Sequence, residues 1–127
     1  MIASGIHDPV SKKVIGCAIE VHKHLGPGLL ESAYERCLAF ELQHYGIAFR
    51  QQVPLPVSYK GIELDCAYRM DLVVDEYLVL EINSVESLLP IHDAQILTYL
   101  KLSRLKLGLL LNFNTALLRD GIRRFAL

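Results

Sequence analysis

The chain has 127 residues and a formal net charge of −1, with 52% hydrophobic and 21% charged residues. This length predicts one domain, residues 1–127, that can bury a core of its own. The near-neutral charge argues against a strongly basic nucleic-acid-binding protein, and the hydrophobic content argues against a disordered chain.

The charge is unevenly distributed along the sequence. From Lys101 to the end, six basic residues stand against the single Asp120, a net of +5. Because the whole chain carries −1, the first hundred residues carry −6. The basic end could contact phosphates or could be an ordinary solvated surface, and composition is compatible with both.

Cysteines and targeting signals indicate where the protein resides. Cys17, Cys37 and Cys66 are far apart and form no CxxC pair, so neither a disulfide framework nor a zinc site is expected. Residues 1–5 have no signal-peptide pattern, and the apolar run at 107–111 is too short to span a bilayer. We therefore expect a cytoplasmic protein without a membrane partner.

The first two predicted elements are helices. An Asp-Pro pair at 8–9 starts the first helix, and apolar residues at helical spacing continue it to Leu25. A Gly-Pro-Gly segment at 26–28 ends it. A second helix is predicted at about 29–45, and Gly46 ends it.

Strands follow the second helix. The segment 47–59 is the first, and its prolines at 54 and 56 suggest an edge strand or a kink before a turn at 60–61. Segments 66–74 and 77–83 predict a hairpin with a turn at Asp75-Glu76. Both are continuously apolar near the turn, so we expect them to be buried on two faces.

A third helix and two further strands complete the chain. Pro90 opens the helix, which covers about 91–104, and strands are predicted at 107–113 and 122–127. A helix between two buried strands suggests a crossover connection. The predicted fold is therefore α/β (α+β), with a mixed central sheet flanked by helices and the element order ααβββαββ.

Two carboxylates occupy apolar strands. Asp71 and Glu81 each have apolar neighbours, and an unpaired buried carboxylate costs several kcal/mol. A three-residue hairpin loop would place them opposite each other, where a divalent cation would relieve their repulsion. Oxygen ligands suit Mg²⁺, with Mn²⁺ as a substitute. The alternative is that they lie near strand ends and pair with Arg69, Arg50 or solvent.

Three motifs carry a resemblance to known proteins. Asp71, followed after nine residues by Glu81-Ile82-Asn83, resembles the D…ExK signature of PD-(D/E)xK nucleases. Gln95 and Tyr99, four apart on the third helix, resemble the QxxxY motif of RecB-type members. The segment GLLESAY at 28–34 resembles the signature of the small bacterial GxxExxY proteins of that superfamily. The likeness covers nearly the whole chain and implies a restriction-endonuclease-like core.

The resemblance also implies a role for each matching residue. The implied Mg²⁺ ligands are oxygen donors, the last through its backbone carbonyl: Asp71, Glu81, Glu31 and Ile82. Gln95 and Tyr99 would support the site or contact the substrate backbone. The implied reaction is phosphodiester hydrolysis of DNA or RNA, in which the ion activates a water and stabilises charge on the phosphate.

Each supporting residue also fits an ordinary structural role. Glu31 is near a helix N-terminus, where the helix dipole alone favours a carboxylate. Gln95 could be a plain surface residue, and Tyr34 fits a core position better than a site. His92 shares a helix face with Gln95 and could border the site, although it is not counted among the site residues.

One motif position departs from the family pattern. Asn83 occupies the place of the motif lysine, and an asparagine has no charge and cannot act as a base at neutral pH. The lost charge could reduce the rate on the order of 100-fold in a partly dry site. The cations that could compensate are Lys60, Arg69 and Lys101.

Three functions compete at this point. The first is a magnesium-dependent nuclease, which Asn83 could weaken. The second is a catalytically inactive module of the same fold that binds nucleic acid or a protein partner, favoured by Asn83 and the near-neutral charge. The third is a homo-oligomeric structural protein, and a homodimer is compatible with any of them because so small a chain has little surface for a duplex.

Overall fold

The computed structural model of the protein describes residues 8–127, so the segment 1–5 considered for a signal peptide lies outside the described residues. Within this range the chain forms three α-helices, α1 (Pro9–Leu25), α2 (Glu31–His44) and α3 (Pro90–Ser103), and a short 3-10 helix, Leu118–Gly121. It also forms seven strands: β1 (Phe49–Pro54), β2 (Val57–Tyr59), β3 (Ile62–Leu64), β4 (Arg69–Val74), β5 (Leu78–Asn83), β6 (Leu107–Asn112) and β7 (Ile122–Ala126). No helix in 8–127 has the length and apolar character needed to cross a membrane.

Five of the strands form one mixed sheet in the order β1-β4-β5-β6-β7. The β5–β6 pair is parallel and the other neighbouring pairs are antiparallel. Helix α3 connects β5 to β6, which is the crossover that a parallel pair requires. The α+β fold predicted from the sequence is therefore confirmed, and β1, which ends at Pro54, is an edge strand as its prolines indicated.

The segment between β1 and β4 differs from the sequence-based prediction. In place of one continuous strand over 47–59, β2 and β3 form a separate two-stranded hairpin around a turn at Lys60 and Gly61, whose φ angles are +49° and +81°. All of β3 is exposed, and its alternation of Ile62, Glu63 and Leu64 is too short to indicate a strand on its own. The strand expected to begin at Cys66 begins instead at Arg69.

Apolar side chains pack on both faces of the large sheet. Helices α1 and α2 cover one face through residues such as Val14, Leu38 and Leu42, which pack against the strand residues Leu72 and Leu80. Helix α3 covers the other face and contributes three buried side chains: Ile96, Tyr99 and Leu100. Strands β4 and β5 are therefore buried on two faces, as their continuous apolar sequence predicted.

The loop between α1 and α2 is held by a buried tyrosine. The Tyr34 hydroxyl donates to the Gly26 carbonyl at 2.6 Å and accepts from the Leu29 amide at 3.1 Å. Its ring stacks on Phe113, with the ring centroids 4.5 Å apart. Tyr34 is thus a core residue, and its hydroxyl bridges Gly26 and Leu29 in the loop that leads to Glu31, the first residue of α2.

Candidate active site

The β4–β5 hairpin brings the two predicted carboxylates together. Its loop is 75–77, and the strand register pairs Leu72 with Leu80. The next positions along the two strands are Asp71 and Glu81, which therefore face each other as the three-residue loop predicted.

Each carboxylate accepts a hydrogen bond from the opposite strand. The Asp71 amide donates to Oε2 of Glu81 at 2.9 Å, and the Ile82 amide donates to Oδ2 of Asp71 at 2.8 Å. The second oxygen of Asp71, Oδ1, has one distant donor, the side-chain amide of Gln52 at 3.5 Å. One oxygen of each carboxylate thus remains available for another partner.

Burial and mutual repulsion make this pair hard to ionise. The pKa of Asp71 is raised to about 6, first by burial and then by the charges of Glu35 and Glu31, against opposing hydrogen bonds from Ile82 and Gln52. Burial, followed by the charge of Asp71, raises the pKa of Glu81 to about 9. Within residues 8–127 no basic side chain makes an ion pair with either carboxylate. The pair therefore strongly favours an added positive charge.

The arginines that could have neutralised the pair are engaged elsewhere or exposed. Nε and Nη2 of Arg50 donate to the two carboxylate oxygens of Glu76 at 2.6 and 2.9 Å. Arg69 is exposed at the start of β4, and the Lys60 ammonium lies 5.4 Å from the ring centroid of Tyr59. The alternative of an arginine-paired Asp71 is therefore absent from the described structure.

Helix α2 contributes two glutamates to the same region. Glu31 and Glu35 are one helical turn apart, and the charges of both act on Asp71 and Glu81. The Glu35 carboxylate accepts from the side-chain amide of Gln52 at 2.9 Å. Sequence reasoning missed Glu35 and Gln52. The spacing of four from Glu31 was a signal for Glu35, whereas only the β1–β4 pairing reveals Gln52.

Helix α3 places the Gln95–Tyr99 pair beside the carboxylates. The Gln95 side-chain amide donates to the Tyr99 hydroxyl at 2.8 Å. Burial raises the pKa of Tyr99, and the charges of Glu81 and Asp71 contribute in the same direction. Tyr99 is buried while Gln95 is exposed, so the sequence-predicted pair borders the site with its tyrosine innermost.

His92, which shares the α3 face with Gln95, has a structural role. Its Nδ1 accepts from the Leu89 amide at 2.8 Å, while its own amide donates to the Leu89 carbonyl at 2.9 Å. These two bonds cap the N-terminus of α3, where free amides need partners. This contact accounts for His92 without a role in the site.

Asn83 lies two residues beyond Glu81 on β5, so the two side chains point to the same side of the strand. The Asn83 side-chain nitrogen is buried and has no hydrogen-bond partner among the described residues. Asn112, its neighbour on β6, differs because its side chain bonds both the amide and the carbonyl of Val85, at 3.1 and 3.0 Å. A buried donor without an acceptor costs about 1–3 kcal/mol. An acceptor that reached the Asn83 side-chain nitrogen would recover this free energy.

The donor set fits a divalent cation that prefers oxygen. Asp71 and Glu81 each have an oxygen to offer, and a cation would relieve the repulsion between them. Across residues 8–127, no three His, Cys, Asp or Glu side chains are close enough to enclose a metal. Two carboxylates suffice for Mg²⁺, which usually binds through one or two of them and retains several waters.

Comparison with known proteins agrees with this geometry. A family model described as the PD-(D/E)XK nuclease superfamily matches residues 8–125, a span that contains every site residue discussed above. Neither the curated proteins nor the solved structures include a match to the chain. Nucleases of this superfamily generally depend on divalent metals, in accord with the oxygen donors of Asp71 and Glu81. From its sequence match and its fold, the chain belongs to the PD-(D/E)XK nuclease superfamily.

Proposed function

We propose that the protein is a magnesium-dependent nuclease that hydrolyses phosphodiester bonds of nucleic acid at Asp71 and Glu81. The observation that carries this proposal is the pair of facing carboxylates, Glu81 buried and Asp71 half-buried, without a basic partner in the described chain. Removing carboxylates from water costs free energy. A bound cation would compensate for that cost, whereas apolar packing around the pair would not.

The ligand set proposed for the ion consists of Asp71, Glu81 and the backbone carbonyl of Ile82. Glu31 would accept a hydrogen bond from a metal-bound water, since in residues 8–127 no third acidic side chain is close enough to join Asp71 and Glu81 as a direct ligand. When bound, the ion supplies charge neutralisation on the phosphate and a lowered pKa for an attacking water.

Gln95 and Tyr99 would position the substrate. The Tyr99 hydroxyl accepts from Gln95, so its own proton remains free to donate to a phosphate oxygen. Because Tyr99 is buried and lies within the electrostatic influence of Asp71 and Glu81, such a donation would orient the phosphate toward these two side chains. The exposed Gln95 would restrict the direction of that hydroxyl.

The placement of these groups supports a narrower assignment to the GxxExxY branch with RecB-type features. Glu31, the glutamate of the 28–34 motif, begins α2, and its charge acts on both Asp71 and Glu81. The tyrosine of the same motif, Tyr34, holds the loop that precedes Glu31. The motif therefore combines one site residue with one structural residue.

Cleavage of a panel of single- and double-stranded DNA and RNA with Mg²⁺, Mn²⁺ or EDTA tests the proposal. We expect metal-dependent cleavage that falls about 1,000-fold or more in Asp71→Asn and Glu81→Gln. The matched control is Asp75→Asn, in the exposed turn of the same hairpin, where φ is +54° and asparagine is well tolerated. Cleavage that survives both site substitutions would contradict the proposal.

Asn83 favours a second candidate, a non-catalytic module that uses the fold to bind nucleic acid or a protein partner. Its uncharged amide replaces the lysine of the motif, and the amide nitrogen has no partner within residues 8–127. This candidate predicts no cleavage even with Mn²⁺, and binding that is unchanged by Asp71→Asn. Turnover that is lost in Asp71→Asn would exclude it.

A further inference from the structure

An apolar groove adjoins the carboxylate site on the α3 side. Its volume is about 380 Å³, and its apolar walls come from α3 and from the segments before β4: Val57, Tyr68, Ile91 and Leu102. Tyr99 lines the groove and lies close enough to Glu81 and Asp71 for their charges to act on its hydroxyl, which also accepts the hydrogen bond from Gln95. A ligand at Asp71 and Glu81 would therefore have this groove as its immediate neighbour.

The aromatic ring of Tyr68 is only partly packed against the rest of the protein. The residue is 48% exposed, and its ring centroid lies 6.5 Å from that of Tyr99 at an interplanar angle of 59°. The two rings are tilted and do not stack on each other. One face of Tyr68 is thus free for a flat aromatic partner.

The side chains that line the groove favour a nucleobase over a phosphate as its occupant. The residues that line it include no lysine, arginine, aspartate or glutamate, so a phosphate there would lose its hydration without a compensating charge. A nucleobase has two apolar faces and stacks well on tyrosine. A base that is paired within a duplex already uses both faces, and it can enter only after leaving the stack.

We propose that this groove binds an unpaired nucleobase of the substrate, stacked on Tyr68, while the adjacent phosphate lies at Asp71 and Glu81. The inference rests on the proposed nuclease function and specifies its substrate class, which is single-stranded nucleic acid or the unpaired part of a duplex. A duplex of the same sequence is bound more weakly, because its bases are stacked on one another and have no free face for the Tyr68 ring.

Equilibrium binding tests the groove without requiring turnover. The probe is a short single strand that carries fluorescein and a 2-aminopurine, titrated in Ca²⁺, which also takes oxygen ligands. We expect Tyr68→Ala to weaken binding roughly tenfold and to remove the quenching of 2-aminopurine. Tyr68→Phe keeps the ring and retains wild-type binding. Tyr77→Ala, an exposed tyrosine in the β4–β5 turn, is the matched control and leaves binding unchanged.

Two results would overturn the inference. One is a Tyr68→Ala protein that binds the single strand as tightly as wild type does, and the other is equal affinity for the matching duplex. Either result leaves the nuclease proposal standing on its own cleavage assay. Binding that depends on Tyr68, in a protein that cleaves no substrate, would support the groove and overturn the nuclease.

Discussion

At the scale of single residues, the identity of position 83 is the largest departure from the family pattern. The facing pair of Asp71 and Glu81 could be predicted from the sequence, because a carboxylate among apolar strand residues costs free energy unless something compensates for its charge. The motif spacing identifies Asn83 as the lysine position, but its orphaned amide is visible only once the packing around β5 is known. Glu35 could have been found from its spacing of four from Glu31 on the same helix, whereas Gln52 could not, because its place at the site depends on how β1 pairs with β4.

The substitution Asn83→Lys tests the importance of that departure. An ammonium beside Glu81 would lower the pKa of both carboxylates and offset the charge of a bound phosphate. We expect cleavage to increase roughly 10- to 100-fold and the acid limb of the pH–rate profile to move to lower pH.

The matched control is Asn83→Met, which has a similar length but no charge and should not increase the rate. Equal cleavage rates for wild type and Asn83→Lys would contradict the prediction that the missing charge at position 83 limits the rate. They would indicate that another residue provides the positive charge.

At the scale of elements, periodicity predicted the three helices and the buried strands well. The apolar spacing that predicted α1 reflects its burial against the sheet, and the Asp8 side chain caps it through the Ser11 amide at 2.9 Å. The sequence placed the residues of β2 in a strand and predicted the turn at 60–61, but it missed β3, because a run of three residues is too short for alternation to indicate a strand.

The α1–α2 loop offers a test at this scale. Tyr34→Phe removes the hydroxyl that bonds Gly26 and Leu29, so the start of α2 and the position of Glu31 become less restricted. We expect the free energy of unfolding to fall by about 1–2 kcal/mol, measured by urea denaturation.

Tyr45→Phe is the control, since Tyr45 is 65% exposed at the end of α2 and should leave stability unchanged. A Tyr34→Phe protein as stable as wild type would show that the loop does not depend on this hydroxyl.

At the scale of the whole molecule, the carboxylate pair links stability to pH. The pKa values of Asp71 and Glu81 in the folded protein, about 6 and about 9, lie above their ordinary values of 3.8 and 4.5. The folded state therefore binds more protons, and the stabilisation present at low pH is lost as pH rises through these two values.

We accordingly expect the stability of the metal-free protein to fall as pH rises from about 5 to about 9. Asp71→Asn keeps an acceptor for the Ile82 amide but removes one charge, so its stability should depend less on pH. Urea denaturation in EDTA across this range measures both proteins. Parallel pH profiles for the two would contradict this linkage.

The oligomeric state also belongs to this scale and stays a prediction. The homodimer considered from the sequence would present as a species of twice the chain mass of 14.3 kDa. Large exposed apolar side chains on α2, such as Phe40 at 68% exposure, are compatible with such a contact. Size-exclusion chromatography with light scattering measures the mass, and a monomer at all concentrations would reject the dimer.

The most direct test of the proposed metal site is calorimetric titration of Mg²⁺ and Mn²⁺ into the wild type and into Asp71→Asn. We predict one divalent ion bound by the wild type, tighter as pH rises because the carboxylates must ionise, and binding lost in Asp71→Asn while its fold is retained. Binding of equal strength in both proteins would contradict the assignment of Asp71 and Glu81 as the metal site.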